Sequence, residues 1–499
     1  MARTHALAGA AIGVALVASA APQFAVPAAA GATLVALAGP VRWLPSPGQR
    51  TLMVIGAWSI ALRVLAGPVL PGTHGLPDGL AGSPGSTRSD SPSPGATVEA
   101  VARRAGGRQD CLIRVDGTRL VYARLPRYPE FAPGDRITVD GRLEPLPAEP
   151  DIEVAGWVGY LRRIGVAATL QARTARLDGR GDDPVARLGR LRGTAGDLLA
   201  AALPEPQAGL AAGILIGLRE RVDPDLARDF TAAGLTHVVA ISGWNIAIVA
   251  GTCGALARPL SRRRRSLVIA CVVGAYTLFA GASPSVVRAA LMAGVALLAR
   301  EGGRHAGASR ALALAVALML AVDPAIVLDP GFQLSAAATA GLVAWAGPLG
   351  GRIERVAPRI PGAVREPLAV SLAAQFATLP IVLFDFGRLS LVSPAANLAA
   401  APLVAFVMAG AAFALPLGAL VGFGVPSIVL SVPLALASLP LALLVAIARG
   451  AAAVPYASLE LPSSVALAGA ALAGLLVLAV ARAGRRGRTE PAIEHPARA

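Results

Sequence analysis

The chain has 499 residues, 55% of them hydrophobic, 15% charged and 4% aromatic, with a mean hydropathy of +0.62. A soluble protein of this length needs a far larger charged surface, so the composition excludes an ordinary soluble globular protein. The formal charge of +15 comes from arginine without a single lysine, so no G-x-x-x-x-G-K-[ST] nucleotide-binding loop exists here and any ATP hydrolysis belongs to another chain.

A helix needs about 20 mostly apolar residues to cross the hydrocarbon core of a bilayer. Three such runs open the chain, at 6–21, 24–40 and 50–69, within an N-terminal membrane region of residues 1–70. The first run, with Arg3 before it and Ala18-Ser19-Ala20 in it, also reads as a cleavable signal peptide; the further runs just behind it favour an anchor. Residues 71–96 are rich in Gly, Pro and Ser and read as a flexible linker.

From 97 to 180 the composition becomes that of a small soluble β domain. Strand-like runs at 111–115, 119–125 and 137–143 alternate with turn signals at Asp116-Gly117, Pro133-Gly134-Asp135 and Asp140-Gly141. Several short strands in so few residues suit a compact OB-like barrel, as a single-strand binding module or as a plain spacer.

Residues 181–222 form a connecting segment with short apolar or amphipathic stretches at 184–203 and 207–218. Long apolar runs then return at 236–257, 266–282, 285–299, 308–327, 332–348, 366–384, 392–419, 425–448 and 461–482, the last leading into a basic tail within 451–499. Backbone polar groups in lipid must bond internally, so the expected fold is a polytopic α-helical membrane protein of about 12 spans with a small extracytoplasmic β domain. Proline and glycine interrupt many of the runs, as in helices that line a polar path inside protein.

Arginine placement supplies an orientation. Arg42 with Arg50, the run Arg262 to Arg265, the group Arg300, Arg304 and Arg310, the group Arg352, Arg355, Arg359 and Arg365, and the C-terminal Arg482, Arg485, Arg486 and Arg488 all fall on one side of a chain with three spans before the β domain and nine after it. The positive-inside rule makes that side the cytoplasm, with both termini in it and the β domain outside.

The densest intramembrane polar cluster is Gly234-Leu235-Thr236-His237-Val238-Val239-Ala240-Ile241-Ser242-Gly243-Trp244-Asn245. Such groups are costly in an apolar span unless they face protein or water, and both helix–helix hydrogen bonding and a polar pathway account for them. Ser242-Gly243 is placed to kink or break the helix. His237 reads as a proton relay or a structural histidine, and Arg288 as a snorkelling cation or a phosphate contact. Gln333 and Gln375 read as substrate contacts or as links between helices, and Asp385 as a solvated or arginine-paired group. Asp178, Asp182 and Asp183 sit among glycines and suit a turn better than a metal site. Cys111, Cys253 and Cys271 have no metal-ligand spacing, so no metal and no cofactor is expected. A hydrolase built on Ser242 and His237 is disfavoured, because their spacing is an awkward helical offset and no acid in the span orients the histidine.

The polar cluster resembles the signature of the competence domain of ComEC-type proteins, G-[LI]-[ST]-H-x-x-A-[IV]-S-G-x-[HN], through Gly234, Thr236, His237, Ala240, Ile241, Ser242, Gly243 and Asn245. Ser283-Pro284-Ser285-Val286-Val287-Arg288-Ala289-Ala290, then Asp329-Pro330-Gly331-Phe332-Gln333-Leu334-Ser335, then Gln375 with Thr378-Leu379-Pro380 resemble the same domain in the same order. Phe386-Gly387, Ser390, Pro394 and Asn397 continue the pattern, and Pro133-Gly134-Asp135-Arg136-Ile137-Thr138-Val139-Asp140-Gly141 and Tyr160-Leu161-Arg162-Arg163-Ile164-Gly165-Val166 resemble the external domain that precedes it. The resemblance covers about 97–450, with 223–450 as the transmembrane channel domain. It implies transport of single-stranded DNA across the cytoplasmic membrane in natural transformation.

The pathway residues it implies are His237, Ser242, Gly243, Asn245, Arg288, Gln333, Gln375 and Asn397, with Arg136 as an external DNA contact. The implied partners are single-stranded DNA, the lipid bilayer, a separate DNA receptor, a cytoplasmic helicase or ATPase and a separate nuclease chain; the oligomeric state is left open. Many family members carry a metallo-β-lactamase-like domain with a His-x-His-x-Asp-His cluster. The histidines here, His5, His74, His237, His305 and His495, are not so spaced, so nuclease activity is not carried over and the chain reads as a channel rather than an enzyme. A permease for a smaller anion or a lipid-linked polymer is the rival reading.

The arginine pattern makes a topological prediction. A reporter fused near residue 90 is expected to behave as extracytoplasmic and one fused after Arg488 as cytoplasmic; finding both on one side contradicts the arrangement of about twelve spans.

Overall fold

The computed structural model describes residues 95–105, 108–146, 161, 165–182, 184–301 and 307–486. The three N-terminal apolar runs, the linker up to 94, most of the 160–166 motif and the tail after 486 lie outside the described residues.

Five strands form, β1 (Gly95–Ala105), β2 (Arg108–Val115), β3 (Arg119–Pro126), β4 (Arg136–Pro145) and β5 (Val166–Gly179). The three expected runs are β2, β3 and β4; β1 and β5 are additional, and the Asp140-Gly141 pair, expected as a turn, lies inside β4 at a register shift against β5. They close into a barrel in the order β1-β2-β3-β5-β4, with β1 returning antiparallel onto β4 and β3 parallel to β5. This OB-like arrangement follows from local chemistry. Alternation along β2 turns Cys111, Ile113 and Val115 inward, and Ala123 and Val121 of β3 stand opposite the first two. The Asp116-Gly117 pair, both at positive φ, closes the β2–β3 turn so that Val115 pairs with Arg119. Gln109, 1% exposed, donates to the carbonyls of Pro126 (2.8 Å), Arg127 (3.2 Å) and Pro129 (2.7 Å) and accepts from the Phe131 N–H (3.3 Å), which pins the loop after β3.

The rest is helical. A strut, α1 (Pro184–Ala202), leads to α2 (Gln207–Ala211), α3 (Pro224–Ala232), α4 (Thr236–Val239) and α5 (Gly243–Leu256). Longer helices follow: α6 (Arg262–Phe279), α7 (Pro284–Glu301), α8 (Ala308–Val322), α9 (Pro330–Val356) and α10 (Gly362–Phe386). A short strand, β6 (Arg388–Ser390), precedes α11 (Ser393–Ala400), α12 (Val404–Gly422) and α13 (Ser431–Ala452); β7 (Ser458–Glu460) pairs back on β6 before α14 (Ser463–Arg486). The apolar run expected at 236–257 is thus two helices, α4 and α5, with a break at residues 240–242.

Among the described residues, three stretches are helical, long and apolar enough to cross a bilayer: Gly362–Phe386, Ser393–Gly422 and Ser431–Ala452. Only 22%, 44% and 28% of their apolar windows are buried by the protein itself. Phe406, Phe413, Leu436 and Leu439 stand exposed on them, an outer surface suited to hydrocarbon rather than water. The bundle core gathers Leu210, Ile214 and Ile216 with Leu226, Phe230, Leu441 and Leu444, so α2 is wrapped on all sides by other helices.

Ion pairs show which helix ends meet, although exposed pairs contribute little stability. Glu301 accepts from Ser266 (2.7 Å) and lies 3.8 Å from Arg262, while Arg365 meets Glu354 at 2.8 Å. With α8 running back between them, these pairs put the arginines of 262–265 and of 352–365 at one end of the bundle. The barrel attaches toward the other. Gly134 packs against Ala186 at the start of α1, and Arg192 farther along lies against Gly281 in the α6–α7 turn, opposite Arg262. The second half of α1 lies on α12 so closely that a Cβ at Gly418 would collide with the Leu198 carbonyl.

That contact is testable. Gly418→Val is expected to push α1 from α12 at a cost of about 1–3 kcal/mol, seen as a lower thermal midpoint and less protein in the membrane. Gly422→Val, whose added Cβ meets nothing within 4 Å, is the control for the helix-propensity change; equal effects at both positions would remove the packing explanation.

Candidate functional site: helix breaks around a buried arginine

Helix α2 runs into a π turn, Ala212–Ile216, that stops at Gly217. Gly217 has φ +83°, and a Cβ there would lie 2.7 Å from the Ala280 carbonyl, so the stop requires glycine. A helix that ends inside protein leaves its last carbonyls without partners. Here each is accounted for. Leu218 N–H donates to Ala212 O and Gly217 N–H to Gly213 O, both at 3.1 Å. Asn245 Nδ2 donates to Ile214 O (3.0 Å), the Tyr276 hydroxyl to Leu215 O (3.1 Å) and Arg192 Nη2 to Ile216 O (3.3 Å). Three side chains from α5, α6 and α1 thus close one helix end.

The second break separates α4 from α5. The backbone extends at Ala240, and Ser242, also extended, caps α5 by accepting from the Trp244 N–H at 3.3 Å. The Ser242 hydroxyl also lies 3.4 Å from Asn245 Oδ1, and the Ile241 carbonyl freed by the break accepts from the Ser285 hydroxyl at 3.0 Å. Upstream, Gly234 at φ +71° approaches Ser393 so closely that a Cβ would lie 2.6 Å from its hydroxyl. Ser390 donates to the Ala232 carbonyl (2.8 Å), and Asn397 donates to Ser393 (3.1 Å). His237, on the single turn of α4, is accessible.

Pro284 starts α7, which places Ser285 and Arg288 one turn apart on the face toward α5. Arg288 is 5% exposed. Its Nε donates to Ser335 Oγ (3.0 Å), and its Nη1 to Thr339 Oγ1 (2.5 Å) and Met292 Sδ (3.4 Å). Ser335 and Thr339 are four apart on α9 and share a face. Among the described residues no carboxylate pairs with this guanidinium. An unpaired buried charge costs several kcal/mol, an expense that neutral hydroxyls offset only in part.

The structure therefore brings Ser242, Gly243, Asn245 and Arg288 together and leaves the other expected residues elsewhere. Asp329 caps α9 by accepting from Phe332 N–H (2.7 Å), which sets Gln333 in the first turn, donating to Val327 O (2.8 Å) and lining an open cleft with Phe384, Asp385 and Leu467. Gln375 is half-buried on α10 beside Phe376, whose ring meets Trp345 edge-on. Asn397 belongs with Gly234 and Ser393, and Arg136 is exposed on the barrel. Arg192, Tyr276, Ser285 and Thr339 carry bonds that the sequence reading did not assign. Thr339 had a signal, its helical offset from Ser335; the other three meet their partners only through tertiary packing. Among the described residues no group of His, Cys, Asp or Glu could hold a metal, and Asp178 accepts from Thr138 at 2.5 Å.

A family profile described as "Competence protein" matches residues 214–486, more than half of the chain. The chain is similar to ComE operon protein 3 of Bacillus subtilis (strain 168), 28% identical over 206 residues, which cover 41% of this chain and 26% of that protein. It is also similar to competence protein ComA of Neisseria gonorrhoeae, 33% identical over 211 residues, covering 40% of this chain and 29% of that protein. The matched stretch thus spans less than a third of the length of these relatives. No solved structure matches the chain significantly.

Closure of the α2 end predicts a stability change. Asn245→Leu keeps most of the volume and leaves the Ile214 carbonyl bare, at about 1–3 kcal/mol; Tyr276→Phe does the same to Leu215. Thermal unfolding of the purified chain in detergent is expected to show a lower midpoint for each, and unchanged midpoints for both would mean that this helix end needs no closure.

Proposed function

The chain belongs to the competence protein family, and on that premise we propose that it carries single-stranded DNA across the cytoplasmic membrane during natural transformation. The observation that carries this reading is the reach of the family match: it begins in the π turn, at Ile214, and ends with α14, so it takes in both helix breaks and the buried arginine. A polyanion crossing an apolar bundle needs interrupted helices, whose ends expose dipoles, and an interior positive charge.

In this proposal the chain is multi-pass, with about 12 spans. Membrane segments occupy 1–70, a linker 71–96, the external OB-like domain 97–180, a connecting segment 181–222, the channel domain 223–450, and the last span with its basic tail 451–499. Gathering of the arginine-rich helix ends at one end of the bundle, away from the barrel, supports cytoplasmic termini and an outward-facing barrel. His237, Ser242, Gly243, Asn245, Arg288, Gln333, Gln375 and Asn397 are the proposed polar residues of the path, with Asn245 acting by holding the broken helix in place. Arg136 on the barrel is the proposed external contact. Strand separation, energy input and degradation of the other strand fall to separate receptor, helicase or ATPase, and nuclease chains.

Deleting the gene and tracking labelled DNA tests the proposal. Surface binding is expected to persist while internalisation falls to background and returns on complementation; undiminished internalisation contradicts it. The purified chain is expected neither to cut DNA nor to hydrolyse ATP, with or without divalent metals.

A further inference from the structure

We propose that Arg288 and the first turn of α5 form a seat for a single phosphodiester oxygen of the strand. This inference rests on the function proposed above and specifies which chemical group of the substrate is held, and by what.

A guanidinium has five N–H donors. In Arg288 the Nε donor is taken by Ser335 and those of Nη1 by Thr339 and Met292. The donors of Nη2 find no acceptor among the described residues, and Nη2 is not one of their sealed, partnerless side-chain atoms, which in the bundle are Arg192 Nε and Ser371 Oγ. The open side of the fork therefore faces accessible space. What lies there is Gly243, whose missing side chain would begin 3.6 Å from Nη2. Gly243 opens the 14-residue helix α5, and its N–H has no acceptor among the described residues. A buried, unpaired cation aimed at a helix N-terminus is a site for an anion, because the partial charges of the helix end add to the full charge of the guanidinium.

The arrangement also sets the kind of contact. With Nε and Nη1 committed to α9, bidentate gripping of a phosphate is not available, and one oxygen binds at one nitrogen. Such a contact is indifferent to base sequence and lacks the second guanidinium bond of a bidentate grip, so it is released more readily, which suits a strand that moves past. Lysine would not replace Arg288, because one ammonium cannot hold Ser335 and Thr339 while reaching Gly243.

Gly243 makes the test. A Cβ there meets only ordinary contacts, Ala289 Cβ at 3.4 Å and Nη2 at 3.6 Å, so a short side chain fits. Gly243→Asp places a tethered carboxylate in the seat, and Gly243→Asn supplies the same shape without charge. Purified in detergent, Gly243→Asp is expected to melt several degrees above Gly243→Asn; in cells, at matched membrane abundance, its DNA internalisation is expected to fall to background, below that of Gly243→Asn. The wild-type chain is expected to gain thermal stability from short oligothymidylate and not from its uncharged methylphosphonate counterpart, and Gly243→Asp and Arg288→Gln to gain none. Equal melting of the two Gly243 variants overturns the seat. Higher stability of Gly243→Asp with internalisation equal to that of Gly243→Asn, or stabilisation of the wild type by inorganic phosphate but not by the oligonucleotide, overturns the phosphodiester assignment. If deletion of the gene leaves internalisation intact, the proposed function fails, while the melting comparison still decides the seat.

Discussion

A helix that stops inside an apolar bundle must find donors for its last carbonyls, since neither lipid nor apolar side chains supply any. The end of α2 is the place where this constraint acts hardest. Ile214, Leu215 and Ile216 project carbonyls into the region where α1, α5 and α6 meet, and each helix answers with one side chain, Arg192, Asn245 or Tyr276. Those bonds fix three helices around one point. They also explain why the break can exist at all: a π turn closed by Gly217 would otherwise be a local defect.

From that point the remaining geometry follows. Asn245 reaches Ile214 from the first turn of α5, so α5 must begin beside the end of α2, and the chain before it must turn sharply at residues 240–242. Ser242 caps the new helix and Ser285 takes the carbonyl that the turn frees. Arg288, one turn beyond Ser285, is thereby held against Gly243 with its other donors tied to α9. The bundle is apolar on the outside and hydrogen-bonded around its broken helices on the inside, an inversion of the soluble pattern that a hydrocarbon solvent favours.

The barrel is a separate problem solved with different means. Its core closes on Cys111, Ile113, Val121 and Leu125, and its order derives from tight turns and a buried glutamine rather than from helix ends. It is coupled to the bundle through α1, which touches Gly134 at one end and α12 near the other. The strut therefore links the barrel to the helix end that Arg192 helps to close.

Composition and periodicity by themselves determined that the chain belongs in a membrane, that its middle holds a short-stranded β domain, and that the polar segment at 234–245 is unlike its surroundings. These are properties of local sequence: hydrocarbon thickness sets run length, and the Asp116-Gly117 pair sets a turn, whereas the same dipeptide at Asp140-Gly141 is overridden by pairing with β5 and becomes a bulge within β4. The Ser242-Gly243 pair likewise gave away the break, because a cap residue followed by glycine is a local signal. Partnership was decided only by the tertiary structure. Asn245 reads from the sequence as one polar residue among several along a path, yet its donor is committed to a carbonyl 31 residues away. Tyr276 and Arg192 give no sign in the sequence that they complete the same helix end. Arg288 reads equally as a snorkelling or an interior charge until packing shows it 5% exposed with no carboxylate beside it among the described residues. Hydrogen bonds between distant segments depend on which helix ends the fold brings together, and no local pattern encodes that.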